Sequence, residues 1–164
     1  MKDKITLERI QTAHPKVREE LGKIYDEIYE ALTGEAKCRF AYVIRTFAEQ
    51  DALFNAKPQV TKAKGGQSYH NYGLAVDIVL VVDKDGNGSY ESASWDVKSD
   101  FDGDGKSDWQ EVVAIFKRYG WAWGGDWKFY DAPHFEKTFG HSVNDLKALW
   151  DSKKFIPNTN YVAI

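Results

Sequence analysis

The sequence predicts an α+β domain, a small and mostly antiparallel sheet flanked by helices, with residues 1–164 forming one unit. Helix-period and strand-period segments come in clusters, without the regular βαβ alternation that builds a parallel sheet. The strand-like runs are short. A chain of 164 residues, 43% hydrophobic and 15% aromatic with six Trp, has enough apolar surface for one aromatic-rich core and is short for two. It carries no internal repeat at solenoid spacing.

The first predicted element is an amphipathic helix in HPKVREELGKIYDEIYEALTGE. Val17, Leu21, Ile24, Ile28 and Leu32 recur there at helical spacing, Pro15 suits the first turn and Gly34 ends the run. CRFAYVIRTF alternates and is rich in β-formers, so it reads as a strand, and AEQDALFNA returns to a helical pattern. Residues 57–69, KPQVTKAKGGQSY, hold Pro, paired Gly and polar residues, which predicts a loop on a cleft rim that delivers His70 to the next strand. That strand is the apolar run Ile78 to Val82, with Asp77 at its head. A polar, Asp/Gly-rich insertion occupies about 83–108. DWQEVVAIFKRYG then predicts a helix with Val112, Val113 and Phe116 inward and Gly120 as its stop. WAWGGDW and PHFE read as two short strands joined by a turn, and SVNDLKALWDSKK as a closing helix.

A formal net charge of −3 and a pI near 5.8 leave no basic footprint for nucleic acid, and no Lys/Arg run marks a membrane surface. MKDKITLERIQTAHP lacks the apolar stretch of a signal peptide, and no segment approaches the roughly 20 apolar residues of a membrane span. The expectation is a monomer made in the cytoplasm without a signal peptide or membrane anchor. The single Cys38 excludes an intramolecular disulfide and reads as a small buried strand residue.

Asp77 requires a reason. A lone carboxylate beside an apolar strand loses several kcal/mol of hydration unless it is paired. His70 lies seven residues before it, and DAPHFE, residues 131–136, supplies His134 on a later strand. Two imidazoles and a carboxylate suit a catalytic zinc, whose fourth tetrahedral position stays open. A second-shell or surface His70–Asp77 pair is the alternative. Asp131, three residues before His134 and across the Pro133 bend, can reach the same cleft and take a proton from the attacking water.

SYHNYGLAVD follows a Ser-x-His-x-x-Gly-x-Ala-x-Asp pattern and DAPHFE an acid-x-x-His pattern. Both, in this order, resemble the zinc D-Ala-D-Ala carboxypeptidase family, which includes dipeptidases and L-alanyl-D-glutamate endopeptidases. WAWGGDW and HNYGLAVD are most similar to the endopeptidase branch of phage endolysins and autolysins. The resemblance implies the hedgehog/DD-peptidase-like zinc fold, with His70, Asp77 and His134 as zinc ligands and Asp131 as catalytic base. It also places Arg45 and Gln50, in IRTFAEQ, at the family's Arg and Gln positions. Arg45 can hold a substrate carboxylate or the oxyanion that forms during attack. Gln50, Ser68 and Trp127 are the expected substrate contacts, with a plain turn role as the alternative for Ser68 and a cleft-wall role for Trp127. His14 and His141 lack partner motifs and are expected to cap or face solvent.

DFDGDGKSDWQE, residues 100–111, fits a twelve-residue calcium loop. Asp100, Asp102, Asp104, the Lys106 carbonyl, Asp108 and Glu111 fall at positions one, three, five, seven, nine and twelve, with Gly105 at six. Ser107 departs from the apolar residue usual at position eight of paired EF-hands. The alternative is a flexible acidic loop.

The implied function is zinc-dependent hydrolysis of the peptidoglycan stem peptide, between L-Ala and D-Glu, on the cell wall after release from the cytoplasm. Its rivals are a D,D-carboxypeptidase or dipeptidase on the same scaffold, and a non-catalytic, zinc-stabilised wall-binding domain.

Overall fold

The computed structural model describes residues 1–164. In chain order its elements are α1 (Lys4–Ile10), α2 (Pro15–Ala31), β1 (Ala36–Tyr42), α3 (Phe47–Asn55), a 3-10 turn (Tyr69–Tyr72), β2 (Ala75–Val82), β3 (Ser92–Ser94), α4 (Asp108–Arg118), β4 (Ala122–Trp123), a second 3-10 turn (Gly124–Asp126), β5 (His134–Glu136) and α5 (Val143–Asp151). The sheet runs β1-β2-β5-β4, with β3 also paired to β2, and every pairing is antiparallel. The predicted α+β class is the observed one.

Strand β2 is the centre of the sheet. Its residues Ala75, Val76 and Ile78 to Val82 are all buried, which is why the run is apolar throughout instead of alternating. One face joins Val17, Leu21, Ile24 and Ile28 of α2 and Val112 and Phe116 of α4 in a single core. There Phe116 stacks on Phe135 of β5, with ring centroids 4.1 Å apart. Truncating such a ring leaves a cavity that costs about 3–5 kcal/mol. Cys38 is buried on β1 and burial pushes its thiol pKa up, so the chain keeps it as an apolar filler.

Two elements lie outside the sequence expectations. Helix α1 is held by Asp3, whose carboxylate caps the Thr6 N–H at 3.1 Å and pairs with Arg39 of β1 at 2.8 Å. Strand β3 forms within the acidic insertion by pairing with Leu80 to Val82. Asp77, expected at the head of its strand, is the third residue of β2. No helix is long and apolar enough to cross a membrane.

His14 caps α2 and is fully buried: its Nδ1 accepts from the Lys16 N–H and its Nε2 meets the Val162 carbonyl at 2.7 Å. The second half of the insertion contacts the rest of the domain. Asp102 accepts from the Thr33 N–H beyond the end of α2, and the Ser107 hydroxyl donates to the Val97 carbonyl while capping α4. That cap explains the Ser at position eight.

Candidate metal centre and catalytic cleft

Asp77 of β2 and His134 of β5 are direct partners across the antiparallel ladder. Opposed residues have Cβ atoms about 5 Å apart, and here Asp77 Oδ1 lies 3.0 Å from His134 Nδ1. His70 arrives on the 3-10 turn. Ser68 caps that turn through its Oγ, which accepts from the His70 N–H at 3.3 Å, and Gly73 ends it at φ 70. A Cβ on Gly73 would run into the His14 backbone, so only glycine closes the turn there. His70 Nε2 thereby comes within 3.2 Å of the same Asp77 oxygen. The three donor atoms lie within 4.8 Å of one another, a His-Asp-His set that could hold a metal ion.

The ring nitrogens show that the set fits such an ion. His70 Nδ1 is 2.9 Å from the Val43 carbonyl, which only accepts, so Nδ1 carries the proton and Nε2 offers a lone pair. That Nε2 is buried and makes no hydrogen bond, despite its closeness to Asp77. A buried nitrogen without a partner is costly, and a cation would satisfy it. His134 is turned the other way, with Nε2 at 2.8 Å from Glu136 Oε1 and Nδ1 toward Asp77.

Burial alone would raise the Asp77 pKa, but the hydrogen bond from His134 holds it well below the usual carboxylate range. Burial pushes His134 down, and its bonds to Asp77 and Glu136 overcome this, lifting it to about 9. The Asp77 anion inside the sheet is thus balanced by the His134 imidazole, with the lone pair of His70 Nε2 left beside it.

Asp131 lies in the segment that enters β5. Burial raises its carboxyl above the ordinary range, Asp77 adds to the rise, and His134, His70 and Arg45 oppose it. Its backbone N–H is bound by the Gly124 carbonyl at 2.9 Å, and a Cβ on Gly124 would overlap the Asp131 carbonyl. The buried indoles of Trp109 and Trp123 both donate to the Ala132 carbonyl, at 3.3 and 2.7 Å. Trp109 of α4 with Trp123 and Gly124 of WAWGGDW therefore set where the Asp131 backbone sits. Gly124→Ala is expected to displace Asp131, costing about 1–3 kcal/mol of overpacking and most of the activity while metal content stays full. Metal analysis beside a rate assay checks it.

Arg45 Nη2 stands 4.0 Å from Asp77 Oδ2, and Nη1 donates to Gln50 Oε1 at 3.1 Å. Gln50 differs from its expected role as a substrate contact. It is 0% exposed, with Nε2 donating to the Ala63 carbonyl at 2.9 Å, so it orients Arg45 from below instead of facing the cleft. Ser68 likewise caps the His70 turn. Trp127 is 38% exposed, with its ring 5.4 Å from that of His134, and forms a cleft wall. Beside Asp131, a cleft of about 620 Å³ is bounded by Val60 and Lys62 of the expected rim loop and by Phe129. Sequence reasoning missed Glu136, although a residue two places beyond His134 on a strand shares its face.

The acidic loop forms a second cluster. Donor atoms of Asp100, Asp102 and Asp108 lie within 4.8 Å of one another, as do those of Asp102, Asp104 and Glu111. Lys106 lies in the turn between them, its N–H donating to Asp104 Oδ1 at 2.8 Å. Asp108 is fully buried with Oδ1 bonded to the Phe101 N–H, while its Oδ2 and Glu111 Oε2 are buried without partners.

Residues 61–137 match the family described as D-alanyl-D-alanine carboxypeptidase. Over 98 residues the chain is 51% identical to the peptidoglycan L-alanyl-D-glutamate endopeptidase CwlK of Bacillus subtilis, covering 56% of this chain and 55% of that protein. Over these segments the chain is similar to these peptidases. It spans about half the length of the curated relative it matches. The crystal structure of the Serratia marcescens L-Ala D-Glu endopeptidase ChiX shares the fold, with a TM-score of 0.52 and 21% identity over 83% of this chain and 88% of that one. The matched segment, 61–137, contains His70, Asp77, Asp131 and His134, and Arg45 and Gln50 precede it.

Proposed function

We propose that the chain is a zinc-dependent peptidoglycan endopeptidase that cuts the stem peptide between L-Ala and D-Glu, with residues 1–164 acting as one catalytic domain. The observation that carries the metal reading is the buried, unpartnered His70 Nε2 facing Asp77 and His134. The bond is suggested by the likeness to CwlK. His70 through Nε2, Asp77 through a carboxylate oxygen and His134 through Nδ1 would hold the zinc. Bound there, zinc supplies Lewis-acid activation of water and of the scissile carbonyl. Asp131, its basicity raised by burial, takes the proton from the attacking water and passes it to the leaving amine. Arg45, held by Gln50, offers its guanidinium to the developing oxyanion or to a substrate carboxylate. Such a substrate places the site of action in the cell wall.

Digesting purified wall peptides and weighing the fragments tests this. Release of a free L-Ala carboxyl and a new D-Glu amine supports the reading. Loss of a terminal D-Ala alone would transfer it to the D,D-carboxypeptidase activity, and intact peptides would leave a binding domain.

The acidic loop is proposed as a calcium site, with Asp100, Asp102, Asp104, Asp108, Glu111 and the Lys106 carbonyl as ligands. The unpartnered oxygens of Asp108 and Glu111 support this. Burial first, and then Asp104, Asp102 and Asp108, push Glu111 up from 4.5 to about 7. Its folded pKa is raised, so the ion-free protein loses stability as pH climbs from 4.5 to about 7. Calcium at a hundred times its Kd should add about 2.7 kcal/mol, a rise of about 5–11 °C in Tm for a chain of this size. Glu111→Gln should raise the Tm of the ion-free protein at pH 8 and weaken the response to calcium. No change in Tm up to millimolar calcium, with no calorimetric heat, would remove the site.

A further inference from the structure

We propose that Glu136 is a positioning residue for the metal, fixing the tautomer and rotation of His134 so that Nδ1 faces Asp77 and the ion. The inference rests on the zinc reading and deepens it. Strand β5 alternates: Phe135 points into the core against Phe116, while His134 and Glu136 share the opposite face. The strand is paired on both edges, with Glu136 between Ala75 of β2 and Ala122 of β4, so its backbone is held. Glu136 Oε1 accepts from His134 Nε2–H at 2.8 Å, and the two side chains are only 13% and 11% exposed. A charge-assisted bond that is this shielded is stronger than a surface pair.

The consequence lies on the other side of the ring. With its proton fixed on Nε2, a neutral His134 presents the Nδ1 lone pair, whereas the opposite tautomer would point N–H at the ion. The Val43 carbonyl does the same for His70, from Nδ1. Glu136 contributes no atom to the three-donor group itself, because its oxygen engages the ring nitrogen that faces away from Asp77. It therefore acts through His134, as an outer partner that orients a ligand and raises its basicity.

The test is the zinc Kd, measured by chelator competition on the intact protein and on Glu136→Gln, Glu136→Leu and Glu136→Ala, with the Tm of the zinc-free forms as the check on folding. Gln can accept the same proton and should keep most of the affinity, while Leu and Ala should lose about 10–100-fold. In the zinc-loaded protein, nitrogen-15 spectra should show a protected His134 Nε2–H that survives in Gln and is lost in Leu and Ala. Folded Leu or Ala variants with wild-type zinc affinity would overturn the proposal, as would a Gln variant as weak as they are. Failure of the wild type to bind zinc would instead remove the metal reading, and this inference with it.

Discussion

Asp131→Asn should fold, hold a full complement of zinc and lose about 10²–10⁴ of the turnover rate, the usual worth of a positioned general base. The amide matches the carboxylate in shape and cannot take a proton. The neighbourhood of Asp131 supports so specific an effect. The backbone around it is pinned by the Gly124 carbonyl and by two indoles on Ala132, none of which depends on the side-chain charge. Burial already raises its carboxyl, so the charged form is not a source of fold stability that the variant would forfeit. Single-turnover rates on wall peptide, beside metal analysis of the same sample, check the expectation. A zinc-replete Asn variant working at the normal rate would falsify the assignment, because the other nearby acids, Asp77 and Glu136, are engaged by histidines.

Asp77→Ala should have the second large effect, in a different quantity. Removing one of three protein donors leaves two imidazoles facing a gap in the centre of the sheet. A four-ligand zinc site is worth about 10–16 kcal/mol, so losing one ligand should cost about a quarter of that, on the order of 10²–10³-fold in affinity. Activity at sub-stoichiometric zinc should vanish with it. His70→Ala and His134→Ala should behave alike. Zinc content after dialysis decides each residue separately, and full occupancy in any one variant takes that residue out of the ligand set.

What the sequence made legible follows the physics of each element. Helices α2 and α4 show because their buried residues repeat at helical spacing, with Pro15 opening the first and Gly120 closing the second, whereas α2 ends at Ala31, short of the expected Gly34 stop. Helix α1 does not, since seven residues with Thr6 and Ile10 as the buried pair make no stripe, and it stands on tertiary bonds to Arg39 and Tyr25. Strand β3 is Ser-Ala-Ser, without β-propensity, and exists because β2 offers it an open edge. In the site, spacing left a surface pair open for His70 and Asp77, the resemblance named His70, Asp77 and His134 as a set, and the structure brings their donor atoms within 4.8 Å of one another. The sequence could not say which ring nitrogen faces inward, since that depends on Val43 just past β1 and on Glu136 of β5. Nor could it place Gln50 beneath Arg45, because a glutamine reads alike in sequence whether it faces a substrate or a neighbour.

The most direct measurement of the whole account is a metal titration of the stripped protein against wall-peptide hydrolysis. Chelator treatment should abolish cleavage at the L-Ala–D-Glu bond, and one equivalent of zinc should restore it, with the recovery complete at that ratio. Cleavage at an undiminished rate by protein shown to be metal-free would contradict it.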